Sequence, residues 1–142
     1  MLIKQISVFI ENTEGSLARA SRTLAAADIH VVSVSLADTN DYGLMRMIVS
    51  DPDAAEAALR KDGFSPRVTT VLAVSLPECF ASFTKLTDAL GKNGMNIEYM
   101  YTLASKRDYT SVVIKVADRE KAEQVIAEAG LKTLSEEEAY NW

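Results

Sequence analysis

The sequence lacks the features that several classes of protein require. Its 142 residues include one cysteine, Cys79, so no internal disulfide can form and the fold must rest on packing. The formal net charge is -5 and the lysines and arginines are scattered singly, so there is no basic stripe for nucleic acid. No apolar stretch is as long as a membrane span, and residues 1–12 lack the long apolar segment and cleavage site of a secretory signal. We therefore expect a cytoplasmic protein that binds neither nucleic acid nor membranes.

Groups that commonly carry catalysis are also scarce. His30 is the only histidine, and the sequence contains no Ser/His/Asp or Cys/His set and no cluster with metal-ligand spacing. We expect His30 on a sheet surface and Cys79 as an inert thiol without an aligned base. The acidic residues Glu11 and Glu14 are explained more simply as solvated charge than as a general acid and base. The sequence predicts no metal, no cofactor and no enzyme activity.

What the sequence does contain is an internal repeat. A shift of 66 positions places "AAADIHVVSVS" (25–35) over "GKNGMNIEYMY" (91–101). One extra residue in the turns "TND" and "SKRD" gives a shift of 67, which aligns 42–63 with 109–130 up to the closing glycine. The first shift brings five apolar residues of the first half, Ile6, Val8, Ile10, Leu17 and Leu24, onto Leu72, Val74, Leu76, Phe83 and Leu90. A tandem duplication follows, with predicted modules at 1–70 and 71–142.

Hydrophobic periodicity predicts the same elements in each module. The first helix, 16–27, has Leu17, Ala20, Leu24 and Ala27 at helical spacing. The second has Asp51 as N-cap, Pro52 at its first position and Gly63 just past its end. The predicted strands are 2–10, 29–37, 44–50 and 68–76 in the first module and 95–104, 109–117 and 131–134 in the second, whose helices are 80–92 and 119–129.

This order, β-α-β-β-α-β, is the ferredoxin-like arrangement. The predicted fold class is α+β: two such modules in tandem, each an antiparallel sheet with its helices on one face, paired side by side. The spacing of Ser135 and Glu138 also predicts a capping box and a terminal helical turn, with Tyr140 and Trp142 docking on the fold.

The pattern of strand, "ENTEGSL", helix and "ADIHVVSVSLAD", repeated as "GMNIEYMYTLAS", resembles a tandem ACT-domain protein. This family is a small-molecule sensing module found beside enzymes of amino-acid metabolism. The resemblance implies that an amino acid binds between two paired modules, where the first loop of one faces the second strand of the other. It also implies a metabolic enzyme or a second copy of the chain as a partner.

The chemistry of the first loop agrees with that implication. A helix amino terminus presents unpaired N–H groups and a partial positive charge, which can hold a carboxylate. Gly15 allows close approach to the backbone, and Asn12 offers both donors and an acceptor. Glu14 stands where the family usually has proline, and its negative charge would weaken the binding of a carboxylate in this loop. The predicted ligand residues are Asn12, Thr13, Gly15, Ser16 and Leu17 of the first loop with Asn96, Ile97, Tyr99 and Tyr101 of the second module.

The second loop, "PECFASF", has Glu78 in place of Asn12 and Ala81 in place of Gly15. One competent site is therefore expected, and the altered loop is expected to pack Phe80 and Phe83 inward.

Simpler interpretations stay open at this point. Asparagine and glycine after a strand are ordinary turn residues, and Tyr99 and Tyr101 fit sheet packing better than ligand contact. The leading function is a non-catalytic amino-acid-binding regulatory protein. The alternatives are a structural or assembly module with decayed sites, and an enzyme; the enzyme type considered on this fold, acylphosphatase, needs an arginine in the first loop, which "ENTEG" lacks.

Overall fold

A computed structural model describes residues 1–38, 40–106 and 109–141, and its contacts divide the chain into two compact units. The N-terminal unit consists of Lys4–Thr69 with Asn141. The C-terminal unit contains Met1–Ile3 and Thr70–Tyr140. The strands of each unit pair antiparallel and each unit has its own core, and the predicted α+β class with ferredoxin-like repeats is confirmed.

The N-terminal unit follows the predicted order. The elements are β1 (Ile3–Glu11), α1 (Ser16–Ala26), β2 (Val31–Asp38), β3 (Tyr42–Val49) and α2 (Pro52–Lys61), after which β4 (Pro66–Leu76) begins. The strand β3 lies between β2 and β1, with Val8 opposite Met45 and Val34 opposite Met47.

Alternation along the strands and helical spacing together build the core of this unit. Ile6, Val8 and Ile10 are successive inward residues of β1, and all three are buried. Leu24 of α1 and Leu59 of α2 belong to the same cluster. Leu17 was expected on the apolar face of α1, but 46% of it is exposed; it lies in the first turn of the helix, and the buried residues of α1 are all further along.

The boundary signals of α2 are confirmed. The carboxylate of Asp51 accepts a hydrogen bond of 3.0 Å from the N–H of Ala54, and Pro52 is the first helical residue. Gly63 has φ of +87°, which a side chain would strain, so glycine ends this helix for a conformational reason.

The C-terminal unit repeats the plan. The elements after β4 are α3 (Phe80–Lys92), β5 (Tyr99–Lys106), β6 (Tyr109–Lys115), α4 (Arg119–Glu128), β7 (Lys132–Thr133) and α5 (Glu136–Tyr140). The strand order is β5-β6-β4-β7, and Val74 of β4 pairs with Val112 on one side and with Thr133 on the other. The core of this unit includes Leu72, Leu86, Leu90 and Ile126.

The observed strand boundaries differ from the predicted ones by at most four residues. The strand predicted from residue 44 already begins at Tyr42, which pairs with Glu11. The strand predicted from residue 95 begins only at Tyr99, because Gly94 (φ of +68°) turns the chain and the N–H of Met95 bonds to the carbonyl of Leu90. The tips of the two predicted hairpin turns, Thr39 and Arg107–Asp108, lie outside the described residues.

The predicted capping box is confirmed. The N–H of Ser135 donates to Glu138 Oε2 at 2.9 Å, and the N–H of Glu138 donates to Ser135 Oγ at 3.2 Å. The Glu138 carboxylate also pairs with Lys132. These contacts start α5, while the predicted docking of Trp142 lies outside the described residues.

The helices of the described ranges are all too short or too polar to cross a bilayer.

Candidate functional site

The loop between β1 and α1 is held by contacts of its own. The hydroxyls of Thr13 and Ser16 lie 2.6 Å apart, and the backbone N–H of Asn12 donates to the carbonyl of Asp41 at 3.0 Å. Gly15 occupies the N-cap position with φ of +83°, in the left-handed region. The side chain of Asn12 is exposed. The loop is thus anchored at both ends and reaches solvent in the middle.

The amino terminus of α1 has no side-chain cap and no acidic residue in its first turn. The N–H of Arg19 donates to the carbonyl of Gly15 at 2.9 Å and closes the first helical turn. Within the described ranges of the chain, no group accepts a hydrogen bond from the N–H groups of Leu17 and Ala18. This helix end therefore has the unpaired donors and partial positive charge that attract anions.

A groove of about 590 Å³ lies beside this helix end. We call it the N-terminal groove. It has an acidic residue, Glu11, and a basic residue, Arg19, in its lining, together with three aromatic side chains. Its lining residues are Phe9, Glu11, Ser16, Arg19, Tyr42, Gly63, Phe64 and Ser65. Opposite charges in one groove match the two charged groups of a free amino acid.

Arg19 is held in place within this groove. Its Nη1 donates to the carbonyl of Asp62 at 2.9 Å, and its guanidinium carbon lies 4.1 Å from the centre of the Phe64 ring. The hydroxyl of Thr23, one turn further along α1, is 2.6 Å from a carboxylate oxygen of Asp62. A guanidinium has five N–H donors, so these contacts leave donors for a ligand. Because its position is already fixed, Arg19 would lose less conformational entropy than a free side chain if a ligand bound there.

Of the five loop residues that the sequence predicted, Ser16 lines the N-terminal groove. The sequence reasoning missed Arg19, Tyr42 and Phe64. Arg19 lies off the apolar face predicted for α1, and Tyr42 precedes the strand predicted at 44–50. A signal for Arg19 was present: a basic residue in the first helical turns, directly after a loop with an uncapped helix start.

The predicted residues of the second module lie in different places within the C-terminal unit. Asn96 borders a groove of about 290 Å³ together with Glu98, Asp118 and Lys121, whereas Ile97 packs against the core. Tyr99 and Tyr101 lie two residues apart in β5 and are half-buried. Tyr101 borders a separate groove of about 380 Å³, and Tyr99 is not among the residues that line it. The prediction that these residues complete one site with the first loop stays a prediction.

The second loop differs from the expectation. Phe80 was predicted to pack inward, but 86% of it is exposed, and Phe83 is 37% exposed. The reason is backbone geometry: Cys79 has φ of +40°, and Phe80 follows it as the first residue of α3. The N–H of Glu78 donates to Ser82 Oγ at 3.1 Å, and Ser82 is the residue of this first turn that is buried.

Comparisons with known proteins agree on the family. A sequence profile of the ACT domain pair matches residues 1–141. A crystal structure of a Bacteroides thetaiotaomicron protein is 32% identical, with a TM-score of 0.94, and the match covers 100% of this chain and 98% of the other. No curated protein matched the sequence.

Two further structures share the fold. The ligand-free regulatory subunit of aspartate kinase from Thermus thermophilus is 20% identical, with a TM-score of 0.62 and coverage of 91% of this chain and 97% of the other. The corresponding subunit from Thermus flavus is 21% identical, with a TM-score of 0.58 and coverage of 92% and 95%. The profile match over residues 1–141 shows that the chain belongs to the ACT domain pair family.

Proposed function

We propose that this chain is a non-catalytic regulatory protein that binds a free amino acid at the start of α1, in the N-terminal groove. The observation that carries the proposal is the pair of opposite charges, Glu11 and Arg19, in a groove beside an uncapped helix end. A groove of about 590 Å³ is within the size range of small-molecule sites.

Arg19 and Ser16 provide the groups for the ligand carboxylate. A guanidinium binds a carboxylate through two parallel hydrogen bonds, and the nearby positive end of the helix dipole adds to the attraction. Hydrogen bonds to a charged partner contribute about 1.5 to 3 kcal/mol each. Carboxylate binding is therefore the stronger half of the recognition.

Glu11 provides the partner for the ligand ammonium. Glu11 and Arg19 are both exposed, so solvent screens both charges, and the uncapped helix end adds its attraction on the carboxylate side only. The aromatic side chains of Phe9, Tyr42 and Phe64 offer an apolar surface for the ligand side chain. The groove thus favours an amino acid with an apolar or aromatic side chain over a small polar metabolite with one charge.

The family supports a regulatory role. Two of the fold relatives are named as regulatory subunits of aspartate kinase, and the profile match is to paired ACT domains. On this basis we propose that the ligand signal passes to a metabolic enzyme or to a second copy of the chain, in the cytoplasm. The alternative from the sequence, a structural module without ligand, lacks a specific supporting feature in the described residues.

The test is a thermal-unfolding panel with each proteinogenic amino acid, followed by calorimetric titration of any that stabilise. A ligand at 100 times its dissociation constant should stabilise the protein by about 2.7 kcal/mol. Arg19→Gln should weaken binding at least tenfold, because one charge-assisted interaction of about 1.5 kcal/mol or more is lost. Asn12→Ala tests a predicted loop residue that offers both donors and an acceptor but does not line the groove.

Arg22→Gln is the matched control, since Arg22 lies on the same helix, is exposed and does not line the groove. It should leave binding unchanged. A flat response to every amino acid would contradict the proposal and favour the structural module. Equal loss of binding in Arg19→Gln and Arg22→Gln would show that only overall charge matters.

A further inference from the structure

We infer that the C-terminal unit has a second binding site, for an uncharged small molecule with an apolar body and one hydroxyl-like group. This inference does not depend on the proposed function, because the site lies wholly within the C-terminal unit. The site is the groove of about 380 Å³ between the start of α3 and β5, which we call the C-terminal groove. It is lined by Leu76, Cys79, Phe80, Phe83, Met100, Tyr101, Thr102, Thr110 and Val112.

The lining of this groove determines the class of ligand. None of the described residues that line it is charged. Burying a charged ligand group without a partner is costly, so a zwitterion would have to keep both charges in solvent. The polar groups that border the groove are hydroxyls and a thiol, including Thr110 Oγ1 and Cys79 Sγ at 3.9 Å from each other. One hydrogen-bonding group on an otherwise apolar ligand matches this arrangement.

The same place in the N-terminal unit has different residues. The repeat aligns Thr102 with Leu36 and Thr110 with Gly43. In the N-terminal unit a methyl carbon of Leu36 lies 2.9 Å from the position that a side chain on Gly43 would take, so Leu36 fills the space over the glycine. In the C-terminal unit the shorter Thr102 stands at that position and borders an open groove. The two repeats have therefore diverged at one structural position, closed in the first and open in the second.

Two aromatic rings make the open groove suitable for an apolar ligand. Phe80 and Phe83 both border it, and Phe80 is the most exposed large apolar residue of the described chain. Exposed apolar surface around a concavity is typical of ligand sites, because the ligand removes that surface from water. A cavity of about 380 Å³ accommodates a single-ring molecule.

The chain carries its own reporter for this site, because Cys79 is the only cysteine, is exposed and borders the groove. The experiment measures the rate at which Ellman's reagent labels Cys79 in the full chain, with p-cresol as the probe and glycerol as the polar control. We expect p-cresol to slow labelling in a saturable manner and glycerol to have no effect. Phenol, which lacks the methyl group, should bind about fourfold more weakly.

Matched variants locate the effect. Thr102→Trp fills the groove and should abolish the protection by p-cresol, and Thr102→Leu, the residue of the first repeat, should weaken it. Thr84→Trp is the control: Thr84 is exposed on α3 and does not line the groove. Far-ultraviolet circular dichroism checks that each variant is folded. Arg19→Gln should keep full protection, which separates this result from the test of the N-terminal groove.

Three outcomes would overturn the inference. The first is labelling that p-cresol does not slow. The second is protection that persists in both Thr102 variants while each stays folded, which would place the probe elsewhere. The third is labelling that slows with protein concentration alone while light scattering gives a doubled mass, which would show that a second copy covers the groove.

Discussion

Thr23→Val should remove one hydrogen bond, which joins α1 to Asp62, the residue that follows α2. Thr23 is only 7% exposed, and its hydroxyl lies 2.6 Å from a carboxylate oxygen of Asp62 and 3.0 Å from the carbonyl of Arg19. The hydroxyl has one hydrogen, and the shorter contact is to the charged acceptor. Valine has nearly the same shape and the same stiffness at its first side-chain torsion, so the substitution removes the hydrogen bond without opening a cavity.

The expected loss can be estimated from this geometry. A hydrogen bond to a charged group contributes about 1.5 to 3 kcal/mol, and Asp62 is exposed, so water can replace part of the lost contact. We therefore expect Thr23→Val to lower the free energy of unfolding by about 1.5 kcal/mol, which corresponds to a fall of about 5 °C in Tm for a chain of this size. Asp62→Asn should cost less, because asparagine can still accept the bond.

Urea unfolding followed by circular dichroism measures the effect, and an unchanged denaturant slope would show that the folded state is otherwise intact. Thr87→Val on α3 is the matched control, since the Thr87 hydroxyl contacts only carbonyls of its own helix, at 3.1 and 3.2 Å. It should change stability by less than about 0.5 kcal/mol. If Thr23→Val and Thr87→Val have equal effects, or if Thr23→Val and Asp62→Ala add without coupling, the reasoning is wrong.

Two further predictions concern helix ends. In urea unfolding, Asp51→Ala should lower the free energy of unfolding by about 1 kcal/mol, because the N–H of Ala54 loses its acceptor. Asp51→Ser should retain most of the parent stability, because the serine hydroxyl can also accept this hydrogen bond. The hydrogen bond from Lys132 and the N–H of Ser135 lower the pKa of Glu138 below its usual value of 4.5. The contribution of the ionised Glu138 carboxylate to the free energy of unfolding is therefore present above pH 4.5 and is lost as the pH falls through the lowered pKa. Glu138→Gln should accordingly be less stable than the parent protein at neutral pH but equally stable in strong acid. A difference that persists in acid would contradict this.

Local sequence signals predicted the helices well. The start of α2 at Pro52, its end before Gly63 and the capping box of Ser135 follow from groups that satisfy helix ends within three or four residues. The alignment of the two repeats then predicted the same order of elements in the second half. Short-range chemistry was sufficient here because both partners of each contact are near in sequence.

The grooves could not be predicted in the same way, because their residues are far apart in the chain. Arg19 acquires its role from Asp62 and Phe64, more than 40 residues away. The exposure of Phe80 depends on the positive φ of Cys79. A non-glycine residue seldom adopts a positive φ, so the sequence does not predict it. Likewise, β5 begins at Tyr99 because of the turn at Gly94, although the apolar pattern is continuous.

The two units show which positions the duplication constrained. The aligned pair Ile6 and Leu72 is fully buried in both units, so a polar residue at either position would cost stability whatever the unit binds. The aligned loop residues Glu14 and Phe80 are both exposed, and neither belongs to a core cluster. A charge could therefore be exchanged for an aromatic ring there at little cost in folding. The two proposed sites must accordingly be tested separately, because a ligand found for one unit would not predict the ligand of the other.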